Sequence, residues 1–204
     1  VKALFVHGMG RSPLSGWLLL RVLQQAGLET RTFTYFVSRQ DFATIRTRLR
    51  EQLLALGQEG DYLLIGHSLG GVLLRAALAE LPPGARLPQR LFLLGSPVQP
   101  SRLARGLRNN RLFRSLCGDC GQLLGSATRM AAIGAVALPV TAVVGDTALP
   151  ARISPFGHEA NDTIVALPEI QADWVDEYVH VPLSHSFLPF SRRVGRIVLE
   201  RVAT

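Results

Sequence analysis

Six short apolar runs punctuate the chain, each bounded by glycine, proline or polar residues. They are KALFVHG (2–8), ETRTFTYF (29–36), DYLLIGH (61–67), RLFLLGS (90–96), PVTAVVGD (139–146) and DEYVHVP (176–182). Their length and their aliphatic or β-branched content predict strands. Several are apolar throughout instead of alternating, the pattern of parallel strands covered on both faces. Between most of them the period changes to that of a helix. Phe42, Ile45, Leu49, Leu53 and Leu56 recur at spacings of three and four and draw one apolar stripe. Leu69–Glu80 and Phe187–Val202 also read as helices, the first closed by Pro82 and Pro83. Alternation of this kind predicts an α/β fold of about six mostly parallel strands with helices on both faces. Such folds gather their sites at the carboxyl ends of the strands.

Residues 97–138 break the rhythm. The stretch is long, rich in Arg and Gly, and holds short helical patterns without a strong strand. It reads as an insertion between two strands, bordering the edge where a site would lie. No repeat or composition break marks a second domain, so 1–204 is expected to be a single domain.

Composition narrows the class. The chain has 204 residues, 48% hydrophobic and 18% charged, which excludes a disordered polymer. No apolar run reaches membrane-spanning length: His67 and Ser68 interrupt LLIGHSLGGVLL, and Pro139 interrupts RMAAIGAVALPVTAVVG. VKALFVHG leads straight into a motif without a leader pattern, although the first residue is not Met. A cytoplasmic location is the expectation.

The formal charge is +7, and Lys2 is the only lysine. A bias that strong toward arginine reflects genome composition before function. Arg102, Arg105, Arg108, Arg111 and Arg114 nevertheless recur every third residue in RLARGLRNNRLFR. A stripe of that kind is more often a solvated face; its functional alternative is peripheral contact with an anionic membrane. No nucleic-acid reading motif accompanies it and few aromatics interleave, so nucleic acid is not an expected partner. Cys117 and Cys120 form a CxxC pair without a second pair to complete a zinc site or a βαβ redox context. They read as two thiols in a loop or short helix.

The chemistry concentrates where a strand meets a helix. Gly66-His67-Ser68-Leu69-Gly70 fits G-x-S-x-G, preceded by a predicted strand and followed by a predicted helix, the setting that motif requires. Such a turn exposes Ser68 above the sheet, where the helix amino end favours developing negative charge. A serine needs a base, and the base needs an orienting group. Of the five histidines, His7 and His67 belong to motifs at strand ends, His180 lies within a strand pattern and is expected to pack, and His158 lies in a loop. His185 directly follows the last strand and is the candidate base. Asp146, ending the fifth strand, and Asp162, in HEANDTIV, compete as its partner, and spacing leaves them close. The Leu69 N–H is one candidate donor to an oxyanion. Met9, in the HGMG turn after the first strand, offers the other.

HGMGRSPLSGW, GHSLGG, ANDTIV and PLSHSF together resemble small bacterial α/β-hydrolases of the esterase and lipase type. The likeness runs along nearly the whole chain and is weakest across 97–138. It implies the α/β-hydrolase fold in a minimal version without a large lid. The family's N-D-G-x-V stretch maps onto Asn161-Asp162-Thr163-Ile164-Val165, which favours Asp162 over Asp146; Thr163 stands where the family usually has glycine. The resemblance implies a serine hydrolase cleaving small-molecule or lipid esters through Ser68, His185 and Asp162. Met9 and Leu69 would form the oxyanion hole, with no metal or organic cofactor. Thioesterase or acyltransferase chemistry would use the same residues, and a non-catalytic binding protein of this fold is the remaining alternative.

Overall fold

A computed structural model describes residues 1–202. All six expected strands form: β1 (Lys2–Val6), β2 (Glu29–Phe33), β3 (Tyr62–His67), β4 (Leu91–Leu94), β5 (Val140–Gly145) and β6 (Glu177–Val181). They make one sheet in the order β2-β1-β3-β4-β5-β6, and every neighbouring pair is parallel. The inner strands are buried almost throughout, which is why they read as continuous apolar runs. Edge strands β2 and β6 are only partly covered. His180 sits on β6 and is exposed, contrary to the packed position expected for it, because no further strand among the described residues covers that edge.

Helices cover both faces. They are α1 (Trp17–Gln25), α2 (Phe42–Gln58), α3 (Leu69–Leu78), α4 (Arg102–Leu107), α5 (Arg111–Leu124), α6 (Ala127–Ile133), α7 (Leu167–Ile170) and α8 (Arg192–Val202). Strand side chains alternate between two cores, as the period of two requires. Ala3 and Phe5 face one side with α1 and α8; Leu4 and Val6 face the other with α2 and α3. The predicted stripe of α2 is its buried face, Phe42, Ile45, Leu49, Leu53 and Leu56, and Asp41 caps the helix by accepting from the Thr44 N–H at 2.8 Å.

The last helix starts later than its apolar pattern predicts. His185–Phe187 form a 3-10 turn, and α8 begins only at Arg192. Leu188 still holds helical backbone, but Pro189 has no N–H with which to continue the ladder, and the turn ends there. Ser191 then opens the new helix, its Oγ accepting from the Val194 N–H at 3.4 Å.

Residues 97–138 connect β4 to the adjacent β5 and carry α4, α5 and α6. The excursion docks on α2: Asp119 accepts from the Phe42 N–H at 3.1 Å and pairs with Arg129 at 2.7 Å. Gly118 breaks α5 between two thiols, both free, of which Cys120 is buried. The arginine stripe spans two helices separated by residues 108–110. Arg102 pairs with Glu159 and Glu169, and the other four arginines are exposed. Among the described residues no helix is long and apolar enough to cross a membrane.

Candidate active site

Ser68 sits between β3 and α3 with φ 52° and ψ −122°, in the left-handed region that disfavours L side chains. Its backbone is held from several sides. The Ser68 N–H donates to the Leu94 carbonyl at 2.9 Å, and the Ser68 carbonyl accepts from Ser96 Oγ at 2.7 Å and the Gly71 N–H at 3.1 Å. The turn is too crowded for side chains around it. A Cβ on Gly66 would strike the Gly71 backbone, and one on Gly70 would strike the Val6 and His7 carbonyls. Ser68 is half-buried, and its hydroxyl makes no hydrogen bond among the described residues.

Asp162 and His185 come from the loops after β5 and β6 and meet beside this turn. Asp162 Oδ2 lies 2.7 Å from His185 Nδ1. Asp162 Oδ1 accepts from the Ile164 and Val165 N–H groups at 3.1 and 2.8 Å, and the His185 N–H donates to the Asp162 carbonyl at 2.7 Å. Asp162 is 0% exposed and His185 5%. A carboxylate only accepts, so the proton of a neutral His185 belongs on Nδ1 and Nε2 keeps a lone pair. Gly95, with φ 53°, makes room for the pair: a Cβ there would fall 2.8 Å from Asp162 Oδ2 and 2.9 Å from His185 Nδ1. Asp146 is exposed, and its carboxylate has no partner among the described residues. His158 is likewise exposed in its loop.

The glycine turn after β1 reaches the same place. A Cβ on Gly8 would lie 3.1 Å from Ser68 Cβ and 2.8 Å from His67 Nδ1. The Met9 and Leu69 N–H groups donate to nothing among the described residues, and Leu69 opens α3. Two buried histidines brace the region. The His7 ring stacks on Tyr35 with centroids 4.3 Å apart, and Tyr35 Oη donates to the His7 carbonyl at 2.7 Å. His67 Nε2 lies 3.0 Å from the His185 carbonyl and therefore carries its proton there. Burial lowers the pKa of both rings, with His67 well below its usual 6.5.

Beside His185 opens a groove of about 700 Å³. Gly10, Arg11 and Leu14 line one side and Ser186, Phe187 and Phe190 the other, with no contribution from 97–138. The Arg11 guanidinium donates to Ser186 Oγ across it. Gly95, Ser96, Arg11 and Ser186 fall within quoted segments but received no role from the sequence. The available signals were a glycine closing the fourth strand and polar residues directly following HGMG and His185.

Two outcomes follow from this geometry. Thr163 holds φ 91°, the conformation glycine takes at no steric cost, and its N–H donates to Asn161 Oδ1 at 2.9 Å. Relief of strain worth about 1–3 kcal/mol exceeds the entropic cost of glycine, so Thr163→Gly should raise stability by about 1 kcal/mol in urea unfolding. The second concerns pH. His7 and His67 have lowered pKa values in the folded protein, so the unfolded chain binds more protons below the usual 6.5. Stability should fall as pH drops from about 7 to 5, by up to about 1.4 kcal/mol per pH unit per histidine. His67→Gln should remove one share of that slope, read from unfolding midpoints across the range.

No family model and no curated sequence matches the chain. Solved structures do. The mature form of a lipase from Bacillus licheniformis superposes with a TM-score of 0.78 at 16% identity, covering 100% of this chain and 91% of the other. A metagenomic carboxyl esterase gives 0.70 at 16% identity, covering 100% and 74%. A thioesterase of the prodiginine biosynthetic pathway in Streptomyces coelicolor gives 0.67 at 15%, covering 99% and 85%. With its six parallel strands, flanking helices and strained serine turn, this chain has the α/β-hydrolase fold.

Proposed function

We propose that the protein is a serine hydrolase that cleaves carboxylic esters. The observation that carries this reading is the buried 2.7 Å contact between Asp162 and His185, set beside a serine held in left-handed backbone. In the proposed reaction Ser68 Oγ attacks the acyl carbon while His185 Nε2 takes its proton. The carbonyl oxygen becomes an oxyanion and accepts from the Met9 and Leu69 N–H groups, donors that need no reorganisation because nothing else engages them. Collapse of this intermediate expels the alcohol, which receives the proton from His185, and leaves an acyl-enzyme. Water then attacks with His185 as base, and the acid departs. Asp162 fixes the tautomer and stabilises the transient imidazolium. The missing Ser68–His185 hydrogen bond is no objection, since such bonds often tighten only when substrate is present.

Thioester hydrolysis and acyl transfer use the same groups with a different leaving group or acceptor. The structural likeness to a thioesterase gives that second reading its support. Residues 97–138 are proposed to border the site from the β4 side, where Val98 and Gln99 donate to the Glu169 carbonyl at 2.8 and 2.9 Å.

Ser68→Ala should lower turnover of activated esters by about 10⁴–10⁶ and abolish labelling by a fluorophosphonate. Asp162→Asn should cost about 10⁴, because an amide favours the wrong imidazole tautomer. Asp146→Asn, at an exposed position outside the pair, should stay near wild type. Retention of labelling by Ser68→Ala, or equal losses in the two Asn variants, would overturn these assignments.

A further inference from the structure

The groove beside His185 holds a charge that no described residue neutralises. Arg11 follows the glycine turn that presents the Met9 N–H, and Ser186 follows His185. Their contact bridges the two loops that supply the proposed oxyanion donor and the proposed base. Arg11, like most arginines of the chain, makes no ion pair among the described residues; its place in the groove wall, held against Ser186, is what distinguishes it. No acidic residue lines the groove. A hydroxyl occupies one of the five guanidinium N–H donors without cancelling the charge, and the others remain for a ligand.

The rest of the wall is apolar and uncovered. Leu14, Phe187 and Phe190 are 76%, 58% and 43% exposed. Phe190 also stacks on the half-exposed Trp17, with centroids 6.4 Å apart, so the apolar surface continues past the groove. Large apolar side chains grouped beside one unpaired cation match a ligand with both characters, and the volume lies in the range of small-molecule sites. Guanidinium is suited to carboxylate and phosphate because its planar fork donates two parallel hydrogen bonds.

We propose that this groove binds an ester bearing an anionic group, carboxylate or phosphate, on Arg11 and an apolar chain along Leu14, Phe187 and Phe190. The assignment of that ligand as substrate rests on the esterase reading; the binding itself does not. Arg11 is then a specificity-determining residue, reading the charge of the substrate from its contact with Ser186, the residue after the proposed base.

The test separates the two. Binding is measured by calorimetry with a pair of non-hydrolysable ethers, meta-octyloxybenzoate and its methyl ester, on wild type, Arg11→Gln, Arg11→Lys and Phe187→Ala. The anionic ether should bind about tenfold more tightly than the neutral one, the worth of one charge-assisted hydrogen bond. Arg11→Gln should erase that preference, Arg11→Lys should restore part of it, and Phe187→Ala should weaken both ligands alike. Equal binding of the two ethers by wild type, or an unchanged preference in Arg11→Gln, would overturn the proposal. The corresponding octanoyl esters are followed for turnover in parallel. Charge-selective binding without hydrolysis would uphold the groove and sink the esterase reading. Sedimentation with phosphatidylglycerol or phosphatidylcholine vesicles distinguishes the source of the anion. Uptake by the former that is lost in Arg11→Gln identifies a lipid headgroup; selective binding of the soluble ether alone identifies a free ester.

Discussion

Ser68 can keep φ 52° only because its neighbours leave the backbone no alternative. A non-glycine residue in such a region costs on the order of 1–3 kcal/mol, and the surroundings must exceed that. The Leu94 carbonyl and Ser96 Oγ grip Ser68 from the end of β4, while Gly70 packs against the carbonyls of Val6 and His7 at the end of β1. One turn thereby ties three adjacent strands together at their carboxyl ends. The helix that leaves it runs through the interior, and every residue from Leu69 to Leu78 is buried. That explains LGGVLLRAAL, a segment apolar on nearly all sides, as expected of a helix without a solvent face. Its one cation, Arg75, lies over the Trp174 ring at 4.7 Å and donates to the Gly134 carbonyl, and burial lowers its pKa to about 10.

Parallel strands deliver the remaining groups to the same edge from distant parts of the sequence. Met9 follows β1, Ser68 follows β3, Gly95 follows β4, Asp162 lies between β5 and β6, and His185 follows β6. The second left-handed non-glycine residue, Thr163, lies next to Asp162. There the chain turns sharply enough for the Ile164 and Val165 N–H groups to point back at Oδ1, which leaves Oδ2 for His185. Both strained residues of the described chain thus adjoin the groups assigned to chemistry, a placement that strain at functional sites leads one to expect.

The sequence made the inner strands and α2 plain because burial on both faces, or on one helical stripe, writes directly into residue type. The edge of β6 was less readable: EYVHV resembles a covered strand, yet His180 faces solvent. The start of α8 was misplaced because the apolar spacing continues through Phe187 and Leu188, while Pro189 lacks the N–H that would carry the helix on. The positions of Ser68 at a strand-to-helix turn and of His185 after the last strand were legible from motif and strand position. The choice of Asp162 over Asp146 needed the family likeness, since both aspartates follow the same strand. Ser96 and Gly95 escaped notice because their contribution is a hydroxyl and an absent side chain contacting residues far along the chain. The groove escaped for a similar reason. Leu14 and Phe187 have no sequence relation and meet only once the first and last loops converge.

The polar groups around Ser68 also fit together electrostatically. In the proposed reaction His185 becomes an imidazolium, flanked by Asp162 on one side and by the His67 ring on the other, with centroids 4.8 Å apart. A charged His67 would oppose that imidazolium. Burial holds His67 neutral, and the nearby positive groups His185 and Arg11 push its pKa in the same direction. Its Nε2–H then serves the His185 carbonyl and fixes the backbone of the proposed base without adding charge. His7, its pKa also lowered by burial and its ring stacked on Tyr35, leaves the turn of the proposed oxyanion donor Met9 free of a competing cation. Positive charge near the site therefore resides at the exposed rim on Arg11, where it can meet an anionic ligand while remaining solvated. The buried groups next to Ser68 are the Asp162 carboxylate, paired with His185, and the His7 and His67 rings; in the proposed reaction, proton transfer from Ser68 to His185 creates the new charges. Those charges fall where Asp162 and the free N–H groups of Met9 and Leu69 can receive them.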